Sequence, residues 1–339
     1  MRILLVSNMY PGRSSPEFGA FVAQLDRALL ADGHTVERTV IDHRGGSGLK
    51  YVRLGADAIR AAVRFEPDVV YAHYLVPTGA LAALAALIGR VPLVVTAHGR
   101  DVRNIGQVPG VREATRLACG RAETVIAVSR YLQEQLIRKL PELASKIEVV
   151  DCGVDLDRFR GRDAEQARAS LGWEGEGPFF LFVGSLDERK NPRRLLEAFG
   201  RLDTGQLAII GDGPLRARLE GHPRVRTLGW LPHARVADWI AACDVLAQPS
   251  MVEPFGQALL EAMASERSVV ATRVGGPPEF VTTAAGVLVD PRSIDEIESG
   301  LRVAAELPRP NTAARAVASR HDVRRQAARI AAILERARR

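Results

Sequence analysis

Short apolar segments rich in β-branched residues alternate along the chain with segments of helical periodicity. Because helical segments separate consecutive strands, the strands are predicted to run parallel in sheets that helices cover on both faces. The chain is therefore predicted to be an α/β protein with doubly wound sheets. The predicted strands are residues 1–6, 35–41, 68–72, 93–97, 124–128, 147–150, 179–183, 207–210, 224–229, 244–247, 269–272 and 286–289.

The chain is long enough for two domains. Its 339 residues suit two units of about 150–170 residues, each able to bury a full core. The alternation stops at residues 151–162, DCGVDLDRFRGR, which contain two glycines and charges of both signs. We place the linker in this segment, which predicts domains at residues 1–155 and 160–320.

Composition excludes several classes of protein. Cys119, Cys152 and Cys243 are far apart and lack CxxC or Cys/His spacing, so neither a disulfide framework nor a zinc site is expected, and a reducing cytoplasm fits best. Residues 1–6 form a strand rather than a signal peptide. The longest apolar run, residues 75–88, is shorter than the roughly 20 residues that cross a bilayer.

The net charge of +6 comes mainly from arginine. Such a charge suits nucleic acid, an anionic lipid surface, or solubility alone. No Lys/Arg run is interleaved with aromatic residues and no helix-turn-helix or RNA-binding signature occurs, so nucleic acid is not expected as a partner.

Several polar residues and glycines follow predicted strands, where ligands bind in parallel α/β sheets. Gly19 ends a Pro/Gly/Ser-rich loop, and His73 and His98 follow the strands that end in VVYA and VTA. A lone histidine is more often structural, which is the favoured interpretation for His73, but the position of His98 at a strand end beside glycine favours a functional role. Gly211 and Gly213 lie in a GDGP turn that lacks the third glycine of a dinucleotide-binding loop.

The segment QPSMVEPFGQALLEAMA, residues 248–264, runs from a strand end through a loop into a helix. The first amides of a helix lack partners within the helix and attract anions. Glu253 precedes this helix and Glu261 lies two turns inside it, so two groups of acceptors flank an anion site, which suits a sugar nucleotide. From the residues alone, Glu253 could instead only favour the helix dipole, and Glu261 could be solvated.

This segment resembles the Glu-x7-Glu element of the retaining GT-B glycosyltransferases, in particular glycosyltransferase family 4, the group 1 transferases. The resemblance implies that Glu253 holds the donor sugar hydroxyls and that Glu261 holds the nucleotide ribose. It also implies that the backbone of Phe255, Gly256 and Gln257 holds the sugar or the diphosphate.

Motifs in the first half follow the same family in order. The HGRD sequence at His98 resembles the HG-x-D element, whose histidine faces the donor sugar at the reaction centre. The loop ending at Gly19 resembles the loop that approaches the donor diphosphate. Ser129 follows a strand and precedes a helix, which predicts a helix cap and leaves a minor role toward the acceptor open.

Motifs in the second half of the chain also resemble those of this family, but two positions differ from the family pattern. GSLDERKNP resembles a segment in which an arginine and a lysine clamp the diphosphate, which implies that role for Lys190. Ser185 stands at the arginine position and Asn191 at a glycine position, so either Arg189 supplies the second charge or the clamp is weaker. Gly211 and Gly213 match the GDGP turn, and Leu231, within WLP, matches the nucleobase wall.

The resemblance covers nearly the whole chain and implies two Rossmann-like domains that face a cleft in a GT-B fold. It also implies that the last helix, about residues 321–339, crosses back to the first, acceptor-side domain, while residues 160–320 bind the donor. The expected enzyme is a metal-independent, retaining hexosyltransferase that needs no cofactor. Its co-substrate is a nucleoside-diphosphate sugar, with UDP as the first expectation, and its acceptor is a sugar, a lipid-linked molecule or a small molecule.

Two other functions stay open. A nucleotide-sugar epimerase shares the two-domain architecture, but needs several bases around the sugar where only His98 and Glu253 stand out. A catalytically silent sugar-nucleotide binder would account for Ser185 in place of arginine.

The loop NMYPGRSSPEFGAFV resembles members that build cell-envelope polysaccharides, of the teichuronic acid type, which receive lipid-linked acceptors at the membrane. A predicted helix at residues 51–65 carries three arginines on one side and an apolar stripe beside them. This side could rest on an anionic membrane, which would make the cytoplasmic protein peripheral at the inner face, or it could be merely solvated. The arginines are Arg53, Arg60 and Arg64, and the stripe is Val52, Ile59, Ala62 and Val63.

Overall fold

A computed structural model describes the whole chain, Met1 to Arg339. The chain divides into two compact units. Unit 1 comprises Met1–Gly153 and Val323–Arg339, and unit 2 comprises Val154–Asp322. The division after Gly153 falls inside the segment in which the alternation of strands and helices stops.

Unit 1 is built on a six-stranded sheet in which every neighbouring pair is parallel. Its central strands are buried on both faces, which explains their continuous apolar sequences. In the order β2-β1-β3-β4-β5-β6 the strands are β1 Arg2–Ser7, β2 Thr35–Val40, β3 Val69–His73, β4 Leu93–Ala97, β5 Thr124–Ala127 and β6 Ile147–Val149.

Helices connect the strands of unit 1. Ser129 caps α6, where its Oγ accepts a hydrogen bond from the Leu132 amide at 3.1 Å. No helix in the chain combines the length and the apolar character needed to cross a membrane. The helices are α1 Ala20–Ala31, α2 Leu49–Arg64, α3 Ala80–Gly89, α4 Arg100–Asn104, α5 Val111–Arg121 and α6 Arg130–Lys139.

Unit 2 repeats this architecture with a second six-stranded parallel sheet, in the order β12-β11-β10-β7-β8-β9. The α/β prediction of two Rossmann-like units is confirmed. The strands are β7 Phe179–Val183, β8 Gln206–Ile210, β9 Val225–Gly229, β10 Val245–Gln248, β11 Ser268–Thr272 and β12 Gly286–Val289. The helices are α7 Ala164–Leu171, α8 Pro192–Gly200, α9 His233–Ala242, α10 Gln257–Ala264, α11 Ile294–Ala305 and α12 Thr312–Ala318.

The last helix, α13 Val323–Arg338, belongs to unit 1. Its apolar side, including Ile330 and Leu334, packs into the same core as Leu25 and Leu29 of α1. The C-terminal helix therefore completes the core of unit 1.

The structure differs from the sequence-based prediction at the turn after β8 and in several helices. A glycine turn after a strand is typical of the entry into a helix, but the segment after Gly213 forms only a single 3-10 turn, Arg216–Arg218, because glycine and proline at residues 221 and 223 follow almost at once. Helices α3, α4, α5, α9 and α12 were given no limits from the sequence. Of these, α5 and α12 are short and rich in alanine and arginine, so their apolar periodicity is weak.

Strand order locates a switch point in each sheet. In unit 1 the chain continues from β1 to β2 on one side and later to β3 on the other, and in unit 2 β8 and β10 flank β7 in the same way. Connections leave such neighbouring strands in opposite directions, which opens a crevice beyond their carboxyl ends where ligands bind. The loops after β1, β3, β7 and β10 are therefore the first places to look for a site.

The turn after β8 depends on Gly211. Its φ of +141° is one that side chains rarely adopt, and a Cβ there would lie 1.8 Å from the Gly184 carbonyl oxygen. We expect Gly211→Ala to lower the free energy of unfolding by about 2 kcal/mol more than Gly221→Ala does. Gly221 is the matched control, because its φ is +90° and no atom lies within 4 Å of a Cβ placed there. If urea unfolding gives the same loss of unfolding free energy for Gly211→Ala and Gly221→Ala, crowding at Gly211 does not contribute to stability.

Candidate active site

The loops at the carboxyl edge of the unit 2 sheet are joined by main-chain hydrogen bonds. The Met251 amide donates to the Arg189 carbonyl at 2.8 Å, and the Glu253 amide donates to the Val274 carbonyl at 3.1 Å. The Gly276 amide in turn donates to the Glu253 carbonyl at 2.9 Å. The loop after β10 is thereby fixed between the loops after β7 and β11.

Lys190 and Glu253 meet at this edge. Lys190 Nζ lies 2.5 Å from Glu253 Oε2, and the two side chains are only 14% and 8% exposed. Ser250 Oγ donates a second hydrogen bond to the same oxygen at 3.1 Å. The sequence predicted both charged residues as site residues, but not that they pair with each other.

The loop after β7 also positions Arg189. Its Nη2 donates to Ser185 Oγ at 3.3 Å and lies 3.6 Å from Asp187 Oδ2. Ser185 itself donates to Asp187 Oδ2 at 2.9 Å. A guanidinium therefore lies against the small side chain at position 185, where related segments carry an arginine.

Asn191 stands where the family resemblance implies a glycine. Its backbone conformation explains why asparagine can replace glycine at this position. Its φ of +61° lies in the left-handed region, which asparagine tolerates better than most residues do. The buried side-chain amide donates to the Pro249 and Pro291 carbonyls at 2.9 and 2.8 Å. Asn191 thus ties the loop with Lys190 to the loop after β10.

Helix α10 begins at Gln257, four residues after Glu253. Gly256 caps this helix with a φ of +111°, and Gln257 is its first residue. Phe255 is buried, and its ring centroid lies 5.5 Å from that of Phe280. This packing fixes the entry into the helix and therefore the direction of its first amides.

Glu261 is 5% exposed, so it is not the solvated helix residue of the alternative interpretation. Its Oε1 lies 3.0 Å from Nε2 of His233, the first residue of α9. Sequence reasoning missed His233, although it directly follows the predicted nucleobase segment. Leu231 of that segment is partly buried between β9 and α9.

Gly211 and Gly213 shape the loop after β8 beside this edge. The Leu186 amide donates to the Asp212 carbonyl at 2.9 Å, and a Cβ at Gly213 would lie 2.6 Å from the Leu186 carbonyl oxygen. The GDGP turn therefore packs directly against the loop that follows β7.

In unit 1, the two strand-end histidines are in contact. His73 Nδ1 lies 3.1 Å from His98 Nε2, and the rings stack with centroids 5.3 Å apart. His73 is 1% exposed and its Nε2 has no hydrogen-bond partner, whereas His98 is partly exposed. Burial lowers the pKa of His98 to about 3, and burial together with the neighbouring His98 lowers the pKa of His73 well below its usual value.

Asp101 holds the turn that carries His98. Its buried carboxylate accepts hydrogen bonds from the amides of His98, Gly99 and Val102, at 2.8 to 3.2 Å, and from Leu75 at 3.1 Å. Burial raises the pKa of Asp101, against the opposing effect of these four amides. The Asp of the HGRD sequence is thus a structural support for the histidine.

Gly19 is the N-cap residue of α1. Its φ is +69°, and a Cβ there would lie 2.4 Å from the Met9 carbonyl oxygen, so the loop closes tightly on itself. Two residues later, the Phe21 ring centroid lies 5.0 Å from that of His98. The predicted residues Gly19 and His98 therefore lie at the same edge of unit 1.

Comparison with known proteins identifies the family of this chain. Residues 163–328 match the family Glycosyl transferases group 1, and residues 19–158 match Glycosyltransferase Family 4. The D-inositol 3-phosphate glycosyltransferase 1 of Catenulispora acidiphila is 30% identical over 284 residues, which are 75% of this chain and 68% of that protein. The chain belongs to glycosyltransferase family 4, the group 1 transferases.

Another relative is a Bacillus subtilis protein named as a teichuronic acid biosynthesis glycosyltransferase. This family 4 chain is 31% identical to it over 239 residues, which are 69% of the chain and 60% of the relative. The chain thus spans about two thirds or less of the length of several relatives that it matches.

Solved structures show that the family 4 chain has the GT-B fold. The sucrose-phosphate synthase of Thermosynechococcus elongatus aligns with a TM-score of 0.81 at 22% identity, over 99% of this chain and 98% of that one. The Anabaena protein HepE, in complex with UDP-glucose, aligns with a TM-score of 0.77 at 24% identity, over 99% of each chain.

The pKa values of the histidine pair predict that the stability of this family 4 chain depends on pH. The unfolded chain binds protons on these histidines as the pH falls below about 6.5, while the folded pair stays neutral, so stability must fall with pH in this range. Between pH 7.5 and 5.0 each histidine should contribute a loss of about 2 kcal/mol, or about 4 kcal/mol for the pair, and His73→Asn/His98→Asn should remove most of it. Urea unfolding at both pH values measures this difference.

His43→Asn is the control, because the His43 side chain is 49% exposed. It should leave the loss of stability on acidification at the wild-type value. If the double variant loses as much stability between the two pH values as the wild type, the pair is not the source of the dependence.

Proposed function

We propose that this protein transfers a sugar from a UDP-linked donor to a hydroxyl acceptor, with retention of configuration at the anomeric carbon. The observation that carries the proposal is the contact of Lys190 with Glu253 at the switch point of unit 2. A cation and a carboxylate side by side suit a ligand with a diphosphate next to a polyol. Membership of family 4 and the UDP-glucose complex of HepE support the same donor class.

The proposed donor contacts use the residues at this edge of unit 2. A diphosphate competes with Glu253 for Lys190 Nζ, and Arg189 adds a second cation from the same loop. The first amides of α10, from Gly256 and Gln257, add an uncharged anion site. Glu253, once released, accepts hydrogen bonds from the sugar hydroxyls, and Glu261 accepts them from the ribose.

The remaining residues complete this assignment. Unit 2 binds the donor, with Phe255, Gly211 and Gly213 shaping its loops and Leu231 beside the nucleobase. Unit 1 serves the acceptor, with Gly19 and His98 at its ligand edge. His98 is neutral there, so it offers a hydrogen bond to a sugar hydroxyl rather than a positive charge.

The reaction breaks the bond between the anomeric carbon and the phosphate oxygen and forms a bond from the acceptor oxygen on the same face. The acceptor proton passes to the departing phosphate, so no protein base is assigned. Negative charge grows on the diphosphate as it leaves, and Lys190, Arg189 and the amides of α10 lie where they can stabilise it without a metal ion.

Nucleotide release separates this function from its two rivals. The purified protein is incubated with a panel of UDP-sugars, with and without acceptor extracts, and UDP is measured. A transferase releases UDP mainly when acceptor is present, and an epimerase interconverts the sugar without acceptor. A silent binder is stabilised thermally by the nucleotide sugar but turns nothing over.

Lys190→Ala should slow turnover more than it weakens donor binding, because the charge on the leaving group grows toward the transition state. We expect at least a tenfold loss of kcat, which corresponds to about 1.4 kcal/mol of barrier, with a smaller change in the Kd for the UDP-sugar. Steady-state kinetics and calorimetry measure the two quantities.

Arg193→Ala is the matched control, because Arg193 is a nearby cation that is 54% exposed and pairs with Glu188. It should leave kcat close to the wild-type value. A kcat for Lys190→Ala within about twofold of wild type, or only about 0.4 kcal/mol, would remove Lys190 as the diphosphate clamp.

The acceptor is proposed to be lipid-linked, reached from an anionic membrane surface. Helices α2 and α3 pack together, with Leu81 filling the space beside Gly55, and both expose large apolar side chains. The stripe predicted on α2 needs one correction: Ala62 is buried beside Gly89 of α3, so it cannot face a membrane. The exposed apolar residues are Leu49, Val52 and Val63 on α2 and Leu84, Leu87 and Ile88 on α3.

Three exposed arginines lie on α2 beside these apolar residues. The apolar side chains of this surface can insert into the membrane interface, and its arginines attract anionic headgroups.

The protein should co-sediment with phosphatidylserine-containing vesicles at low salt and dissociate as salt rises. Arg53→Gln/Arg60→Gln/Arg64→Gln should abolish this binding. The control variant Arg193→Gln/Arg218→Gln/Arg226→Gln removes the same amount of charge from exposed sites in unit 2. This variant should still bind the vesicles. Equal binding by both triple variants would leave a water-soluble acceptor as the better assignment.

A further inference from the structure

Three side chains of unit 2 form a continuous hydrogen-bonded line that ends at Glu261. Glu261 Oε1 lies 3.0 Å from His233 Nε2, and His233 Nδ1 lies 2.9 Å from Arg158 Nη1. Arg158 is exposed, the His233 side chain is 17% exposed, and that of Glu261 is 6% exposed. The line therefore runs from the surface to a buried carboxylate on α10.

The chemistry of the two ends fixes the protons of the ring between them. A guanidinium carries only donors, so His233 Nδ1 must accept. An ionised carboxylate only accepts, so His233 Nε2 must carry the proton and donate to Glu261. A neutral imidazole has one donor and one acceptor, and here each meets its complement. A doubly protonated ring would instead place an N–H group against the guanidinium.

Packing holds this ring in place. The buried ring of Phe159 lies beside His233, with centroids 5.3 Å apart. Arg315 Nη1 donates to the Phe159 carbonyl at 2.8 Å and to the carbonyl of Ala264, the last residue of α10. The segment that carries Arg158 is thus tied to the helix that carries Glu261, and the relative positions of the three side chains are set before any ligand binds.

We infer that His233 is a positioning residue for recognition of the nucleotide ribose, and that Arg158 fixes its tautomer. This inference rests on the proposed role of Glu261 in binding the ribose. His233 occupies one carboxylate oxygen and so directs the other toward the 2′ and 3′ hydroxyls. Because the carboxylate is already oriented, less side-chain freedom is lost when the nucleotide binds. The ligand class selected is a ribonucleoside diphosphate over its 2′-deoxy counterpart.

The test compares the Kd values of UDP and 2′-deoxy-UDP, measured by calorimetry on the full chain. The wild type should bind UDP about tenfold more tightly, since tenfold corresponds to about 1.4 kcal/mol, the scale of a charge-assisted hydrogen bond. His233→Phe keeps a ring beside Phe159 but cannot donate, and should bring the ratio of the two Kd values to within about twofold of one. His233→Gln restores a donor and should recover part of the ratio.

Two further variants keep the result interpretable. Glu261→Gln should remove the discrimination, because its neutral amide is a weaker acceptor for a ribose hydroxyl. Arg158→Ala leaves the ring in place but removes the group that fixes its tautomer, and should lower the ratio about two- to threefold. Since Arg158 is exposed, Arg158→Ala should fold, so it tests the hydrogen-bonded line even if His233→Phe does not fold.

The outcomes separate this inference from the proposed function. If Glu261→Gln loses discrimination while His233→Phe and Arg158→Ala keep the wild-type ratio, the inference is wrong and the ribose role of Glu261 stands. If His233→Phe weakens the binding of UDP and of 2′-deoxy-UDP by the same factor, His233 has a structural role only. A wild-type ratio near one contradicts the ribose role of Glu261 and the inference with it, and no binding of UDP contradicts the proposed donor itself.

Discussion

Main-chain hydrogen bonding beyond the carboxyl ends of the unit 2 strands is the constraint on which the site depends. Glu253 forms an isolated parallel bridge with Gly275, so the pairing of β10 with β11 resumes past their ends. A Cβ at Gly275 would lie 1.9 Å from the Glu253 carbonyl oxygen, so only glycine allows this approach. Because the loop is bound on both sides, the Glu253 side chain has a defined place, and Lys190 reaches it from the loop after β7.

This rigidity makes a nearly buried charge pair possible. Removing a lysine and a carboxylate from water is costly, and their attraction offsets that cost only when the geometry is good and further hydrogen bonds are present. The 2.5 Å contact and the Ser250 hydrogen bond meet that condition. A nucleotide sugar would offer each partner a replacement, the diphosphate for Lys190 and the hydroxyls for Glu253. In the proposed function, donor binding is therefore an exchange of partners at fixed positions, and the same groups would already be placed for the transition state.

The sequence predicted most of the fold because buried parallel strands are continuous apolar runs, and each observed strand begins and ends within one residue of its predicted limits. It also placed Lys190, Glu253 and His98 at strand ends. What it could not show were the contacts between side chains. Lys190 and Glu253 are 63 residues apart, and His233 and Glu261 are 28 apart, so their meeting depends on strand order and helix packing. No periodicity in the sequence encodes either contact.

The two histidines near ligand edges have their hydrogen-bonding directions fixed by different neighbours. Burial beside His73 lowers the pKa of His98 and keeps it uncharged, whereas the guanidinium of Arg158 requires Nδ1 of His233 to accept a hydrogen bond. Each histidine therefore offers a hydrogen bond with a defined direction. The charge that develops on a departing diphosphate must then be met by other groups. In the proposed clamp these are Lys190 and Arg189, and the guanidinium of Arg189 lies against Ser185, where the family resemblance implies an arginine. The departure at Ser185 is thus compatible with a complete clamp if Arg189, four residues later along the same loop, supplies the second charge.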